Sequence, residues 1–172
     1  HLVIFEAKGQ GLIERIWTPT PTEDTLDFYF DGAGKPSFSI RFSDLFTGTV
    51  KPFIKPIVGH KVGGYYCYTP IPYKNGCKIV FRGPKIMFHQ IQYRQLNKTY
   101  HVETFDLALH QAAEKELTAV AALWQKDEVH IDDVAGNTSL KLIQKNITLK
   151  PGESVPVAAV SGGGRIAGIE IS

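Results

Sequence analysis

Tyr65-Tyr66-Cys67-Tyr68-Thr69-Pro70-Ile71-Pro72-Tyr73-Lys74-Asn75-Gly76-Cys77-Lys78-Ile79-Val80-Phe81 decides the fold class. Aromatic and β-branched residues fill both flanks, and such side chains suit a pleated, half-buried surface. Between them Asn75-Gly76 supplies the residue types that accept positive φ in a tight turn. The stretch therefore reads as strand, turn, strand. If Asn75-Gly76 is a two-residue hairpin loop, Lys74 faces Cys77 across it and Cys67 lies opposite a residue near Pro84. No disulfide is then expected within the hairpin, and both cysteines read as buried free thiols. Tyr65, Tyr66 and Tyr68 occupy both faces of one strand, so at least one ring lies outside the core.

The same texture extends in both directions. Runs rich in β-branched and aromatic residues at 2–7, 12–17, 26–30, 37–42, 86–93, 100–104, 139–149, 155–160 and 165–171 are separated by Gly, Pro and polar punctuation. Strands at this spacing predict a mainly β chain, a jelly-roll β-sandwich. Near the end of the 86–93 run, Ile91 and Tyr93 alternate with Gln90, Gln92 and Arg94, as one buried and one wetted face require. By the same alternation Asp27, set among aromatics, should face solvent, and Asp31-Gly32 reads as a turn. One segment breaks the pattern: Leu109, Ala112, Ala113, Leu117, Val120, Ala121 and Trp124 fall at helical spacing, and Asp106 can cap the start. One amphipathic helix over about residues 106–125, with Trp124 in the core, is expected. Gly9-Gln10-Gly11-Leu12-Ile13 is echoed by Gly162-Gly163-Gly164-Arg165-Ile166. The echo reads either as two similar strand entries in one sandwich or as the end of one jelly-roll domain over 1–161 and the start of a second at 162–172.

Composition narrows the function. A chain of 172 residues buries about 70% of the surface its unfolded form exposes, enough for a core without metal or disulfide. A net charge of +2 builds no field for nucleic acid or an acidic membrane, so neither is expected as a partner. No apolar run approaches the roughly 20 residues that span a bilayer. The chain opens on a strand-like run without an initiator Met, and is read as processed or cut from something longer. It has no P-loop, no dinucleotide-binding glycine fingerprint, no HExxH and no GxSxG, and its histidines lack zinc spacing, so no cofactor and no metal are expected. Paired carboxylates could support glycoside hydrolysis. Glu14, Asp27, Asp31, Asp44 and Glu103 lie in or beside strands, and Glu23 and Asp24 in a Thr/Pro-rich loop, but spacing alone pairs none of them. The many aromatic faces suit a carbohydrate or protein contact.

Several motifs in order carry a family resemblance. They are the Gly9-Gln10-Gly11-Leu12-Ile13-Glu14-Arg15-Ile16-Trp17 stretch, Leu26-Asp27-Phe28-Tyr29-Phe30-Asp31-Gly32, Ser43-Asp44-Leu45-Phe46-Thr47-Gly48, Gly64 to Tyr73 with Cys77-Lys78-Ile79, His89 to Tyr93, Val102-Glu103-Thr104-Phe105 and Pro151-Gly152-Glu153. Together they resemble the first half of glycoside hydrolase family 172, over essentially the whole chain. The resemblance implies tandem β-jelly rolls, homo-oligomers (trimers or hexamers) and a secreted or periplasmic bacterial protein. It also implies activity, with retention, on furanosides such as difructose anhydrides or D-arabinofuranan. The family's Gly-Thr-Gly-Thr-Glu-Asp-Tyr-Phe motif, which carries a catalytic acid, belongs to the second half and is missing here. Pro21-Thr22-Glu23-Asp24 only superficially resembles it, so no catalytic role passes to Glu23. The fragment alone is then expected to be inactive. Arg15, Trp17, Asp44, Phe46 and Tyr68 are the candidates for pocket lining. Against that stand an ion pair or turn cap for Arg15 and Asp44, and core packing for Trp17, Phe46 and Tyr68. The rival function is a non-catalytic sandwich for carbohydrate binding or oligomer assembly.

Overall fold

A computed structural model of the chain describes residues 1–109, 111–126, 141–163, 166, 168 and 169. Residues 1–125 form one compact unit and 126–172 another.

The first unit is a β-sandwich of two antiparallel sheets. One sheet holds β1 (Leu2–Lys8), β8 (Gly76–Phe81), β3 (Thr25–Phe30) and β4 (Phe38–Arg41), in that order. The other holds β5 (Val58–Lys61), β6 (Gly64–Cys67), β2 (Gly11–Thr18) and β7 (Ile71–Tyr73), with β9 (Gln90–Gln95) also paired to β2. The pairings β1 with β8 and β2 with β7 are nested, as when one long ribbon is rolled over a sandwich. β3 with β4 and β5 with β6 are simple local ladders. Inward alternation supplies the core: Ile13 and Ile16 from β2, Leu26, Phe28 and Phe30 from β3, Ile79 and Phe81 from β8, joined by Phe42, Phe53 and Phe105. Phe28 stacks on Phe38 at 4.3 Å, and Phe105 meets Phe30, Phe38 and Phe53 edge-on or tilted.

Asn75-Gly76 is not a hairpin loop. β7 ends at Tyr73 in one sheet and β8 begins at Gly76 in the other, so the turn carries the chain across the sandwich. The β1 to β2 connection crosses beside it, with Gly9 N–H bonded to the Asn75 carbonyl at 3.1 Å. Asp31, at φ 56°, holds this corner. Its Oδ1 accepts the backbone N–H groups of Lys74 at 3.0 Å and Asn75 at 2.5 Å, and its Oδ2 accepts the Thr104 hydroxyl. Cys67 and Cys77 consequently lie in different sheets, both free and buried in the core.

Asp27 does not face water. It lies on the outer side of its sheet, as alternation requires, yet is only 4% exposed. Arg82 lies over it with Nε 2.8 Å from Oδ2 and Nη2 2.9 Å from Oδ1, and the cross-strand Ser39 hydroxyl donates to Oδ1 at 2.5 Å. The helix α1 (Gln111–Trp124) starts later than expected. Asp106 instead caps a preceding turn through the Ala108 N–H at 2.9 Å. Of its described residues only Ala121 is buried, and Trp124 is 44% exposed, not a core residue.

In the second unit Pro151 and Gly152 form a turn closed by the Glu153 N–H to the Lys150 carbonyl at 3.0 Å. Residues 141–149 and 153–160, expected as strands apart from 153 and 154, carry no strand pairing. Leu142, Val157 and Val160 are 80%, 60% and 72% exposed, and a strand pattern with neither a ladder partner nor a covered face does not make a strand. Much of the glycine echo, and the predicted strand at 165–171, lie largely outside the described residues.

Two measurements check this account. Asp31→Ala should cost about 2–3 kcal/mol of stability in denaturant unfolding, through lost charge-assisted hydrogen bonds and alanine's poor fit to positive φ. Asp31→Asn, which tolerates that φ and keeps an acceptor, should cost less. Burial pushes the Cys67 thiol up to about 11, and burial with the Asp31 charge pushes Cys77 up to about 12. Tyr73 likewise rises to about 12, mainly by burial. Because the folded state keeps these groups protonated where the unfolded chain would ionise them, their contribution is intact at neutral pH and is lost as pH climbs from about 9 to 12. Tm should fall over that window, and neither thiol should react with a disulfide reagent below it without prior unfolding.

Candidate functional site

β2 builds the site because of one irregularity. Ile13, Ile16 and Thr18 are 0%, 2% and 0% exposed and point into the core. Strict alternation would send residue 15 inward with Ile13, but the β2 to β9 ladder shifts register between Ile13 and Arg15. The bulge turns Arg15 and Trp17 onto the outer face.

Two glycines floor that face. A Cβ on Gly64 would overlap the Trp17 indole at Nε1, and one on Gly59 would lie 2.8 Å from the Tyr66 hydroxyl, so both rings lie flat against bare backbone. Tyr66 and Tyr68 have ring centres 5.7 Å apart, and Tyr68 meets Trp124 edge-on at 5.3 Å. The Arg15 guanidinium carbon sits 5.7 Å from the Trp17 ring centre and 5.8 Å from that of Tyr68, within cation–π range. Arg15 Nη1 donates to Gln90 Oε1 at 3.2 Å and Gln92 Oε1 at 3.4 Å, from the wetted side of β9. Arg15 Nε is buried without an acceptor. A groove of about 330 Å³ adjoins, lined by Trp17, Pro19, Met87, Phe88, His89 and Gln90.

Arg15, Trp17 and Tyr68 are thus brought together. Asp44 and Phe46 are not among them; they occupy a single 3₁₀ turn (Ser43–Phe46) after β4. Phe46 is 4% exposed, packed edge-on to Phe42 and tilted against Tyr65. Asp44 Oδ2 lies 3.7 Å from Arg41 Nε, and the same guanidinium holds Glu23 Oε2 at 2.7 Å. Of these, Glu23 and Phe46 line a separate cavity of about 490 Å³ together with Lys55, His60 and Tyr65, where the His60 and Tyr65 rings stack at 4.2 Å. The hydrogen bonds from Arg41 and Ser43 hold the Glu23 carboxyl below the usual carboxylate range, the opposite of what a general acid needs.

The other strand acids are engaged as well. Glu14 pairs with Arg94 at 2.6 Å, Asp27 with Arg82, and Asp31 with backbone amides. Among the described residues no group of three or more His, Cys, Asp or Glu is arranged to hold a metal ion, and no helix is long and apolar enough to cross a membrane. His110 and His130 lie outside the described residues.

Gln90, Gln92, Tyr66 and Trp124 were not among the residues singled out from sequence. The polar phase of Gln90 and Gln92 along β9 signalled a wetted face, and the run Tyr65, Tyr66 and Tyr68 signalled a ring outside the core; that Arg15 shares the face depends on the register Arg15 to Gln92. The helix docks Trp124 beside Tyr68 through a contact 56 residues away in sequence, as their numbering shows.

Comparison with known proteins fits this architecture. The family model described as GH172 first beta-sandwich domain matches residues 1–113, which carry both sheets in full. No curated protein matches the chain significantly. With two-sheet topology and a family match over most of its length in agreement, the chain belongs to glycoside hydrolase family 172.

Proposed function

We propose that this chain is the first β-sandwich of a furanoside-cleaving glycoside hydrolase, acting on difructose anhydrides or D-arabinofuranan, whose catalytic acids come from a second jelly roll starting near residue 162. The Arg15, Trp17 and Tyr68 face carries the reading. Flat rings exposed beside a guanidinium and two amides offer apolar stacking and directional hydrogen bonds together, the combination that grips a polyhydroxylated ring. Phe46 contributes at the edge of the second cavity, and Asp44 acts behind it through Arg41. The enzyme is a secreted or periplasmic homo-oligomer, a trimer or hexamer, and needs no cofactor.

A second reading has its own support. The strand acids Glu14, Asp27 and Asp31 and the paired Glu23 and Asp44 are held by cations or amides, as befits a sandwich that binds sugar or assembles oligomers without catalysis.

The native protein purified from its source separates the two. Its intact mass should be about twice the 19.1 kDa of this chain or more, and it should cleave arabinofuranan or a difructose anhydride with the product's first-formed anomer matching the substrate. Trp17→Ala and Tyr68→Ala should each raise KM about two- to tenfold with a smaller change in kcat. A native mass near 19.1 kDa, with sugar binding but no turnover, would establish the second reading instead.

A further inference from the structure

We propose that Arg15 is the receptor for a carboxylate. Among the described residues the other three arginines each hold one: Arg41 holds Glu23 at 2.7 Å, Arg82 holds Asp27 at 2.8 Å and Arg94 holds Glu14 at 2.6 Å. Those three are exposed residues, whereas Arg15 is the only one of the four that is partly buried. It is also the only one with no acidic partner, although its desolvation demands one most. Its Nε is buried and lacks any acceptor. Its two amide acceptors lie at 3.2 and 3.4 Å, beyond the usual range for a charged donor. Arginine presents its N–H groups in a planar fork that matches a carboxylate with two parallel bonds. Trp17 and Tyr68 flank the guanidinium as ring walls, and the two glutamine oxygens orient one edge of it. The β-bulge spends a break in the ladder to bring this cation onto an aromatic face where no acid of its own sheet reaches it.

The carboxylate can come from an acidic sugar or from an Asp or Glu of another polypeptide segment; the chemistry at Arg15 is the same. The inference rests on reading this face as the one that meets ligand, and the test separates the two claims. In ¹H–¹⁵N spectra of the native protein, the Arg15 Nε–H signal is assigned by its loss in Arg15→Lys. Sodium glucuronate, sodium acetate, methyl α-D-arabinofuranoside and sodium chloride are then titrated at matched ionic strength. Both carboxylates should shift the Arg15 signal and the Trp17 indole N–H saturably, and in Arg15→Gln the affinity read at the Trp17 indole should weaken about tenfold or more. Glucuronate binding well above acetate marks an acidic sugar, and equal binding marks a protein carboxylate. If both salts act no differently from chloride the inference is overturned. In that case a response of Trp17 to the neutral furanoside still upholds the sugar-contacting face. A response to the carboxylates without one to the neutral furanoside instead upholds the inference and removes the neutral-furanoside reading.

Discussion

The corner clamped by Asp31 is the constraint on which the sandwich depends. Two chain crossings between the sheets, β1 to β2 and β7 to β8, occur side by side there, and the nested pairings of the roll follow from both. A crossing turn leaves peptide N–H groups pointing away from either ladder, to be met by side chains or water. One carboxylate serves two of them and ties the Thr104 segment to the same point. Asp31 itself can take positive φ at modest cost because its side chain bonds locally.

The outer face of the β2 sheet follows from a different economy of space. Aromatic rings lie flat on a sheet only where the neighbouring strands offer no Cβ, and Gly59 and Gly64 provide those two gaps. The rings then leave the guanidinium of Arg15 between them, and the bulge decides that it points outward. The second sheet uses its outer face differently, closing Asp27 under Arg82 as a structural pair. On one face an arginine thus closes over an acid, and on the other an arginine stands without one.

Much was legible before any coordinates. β-rich spacing named the sandwich, Gln90 and Gln92 marked a wetted side, and helical periodicity found α1 to within a turn at its end. Motif order along the chain pointed to the family that the match over 1–113 establishes. The errors have specific causes. Asn75-Gly76 carries the local chemistry of a hairpin, but nothing local says whether the next strand pairs back or crosses to the other sheet. Asp27 obeyed alternation, and its burial came from Arg82, just past the end of β8. Residues 141–160 have strand composition without a partner in this chain's described part, so propensity had nothing to act through.

The sequence by itself determined the class of fold, the residues able to line a core and the family, because these depend on local patterns and on the order of motifs. Only the tertiary structure decided which candidates meet. It gathered Arg15, Trp17 and Tyr68 with Gln90, Gln92 and Trp124, and sent Phe46 to another cavity and Asp44 to an ion pair with Arg41. The reason is that strand register and a single bulge set which face each side chain takes, and both are fixed by pairing between distant segments.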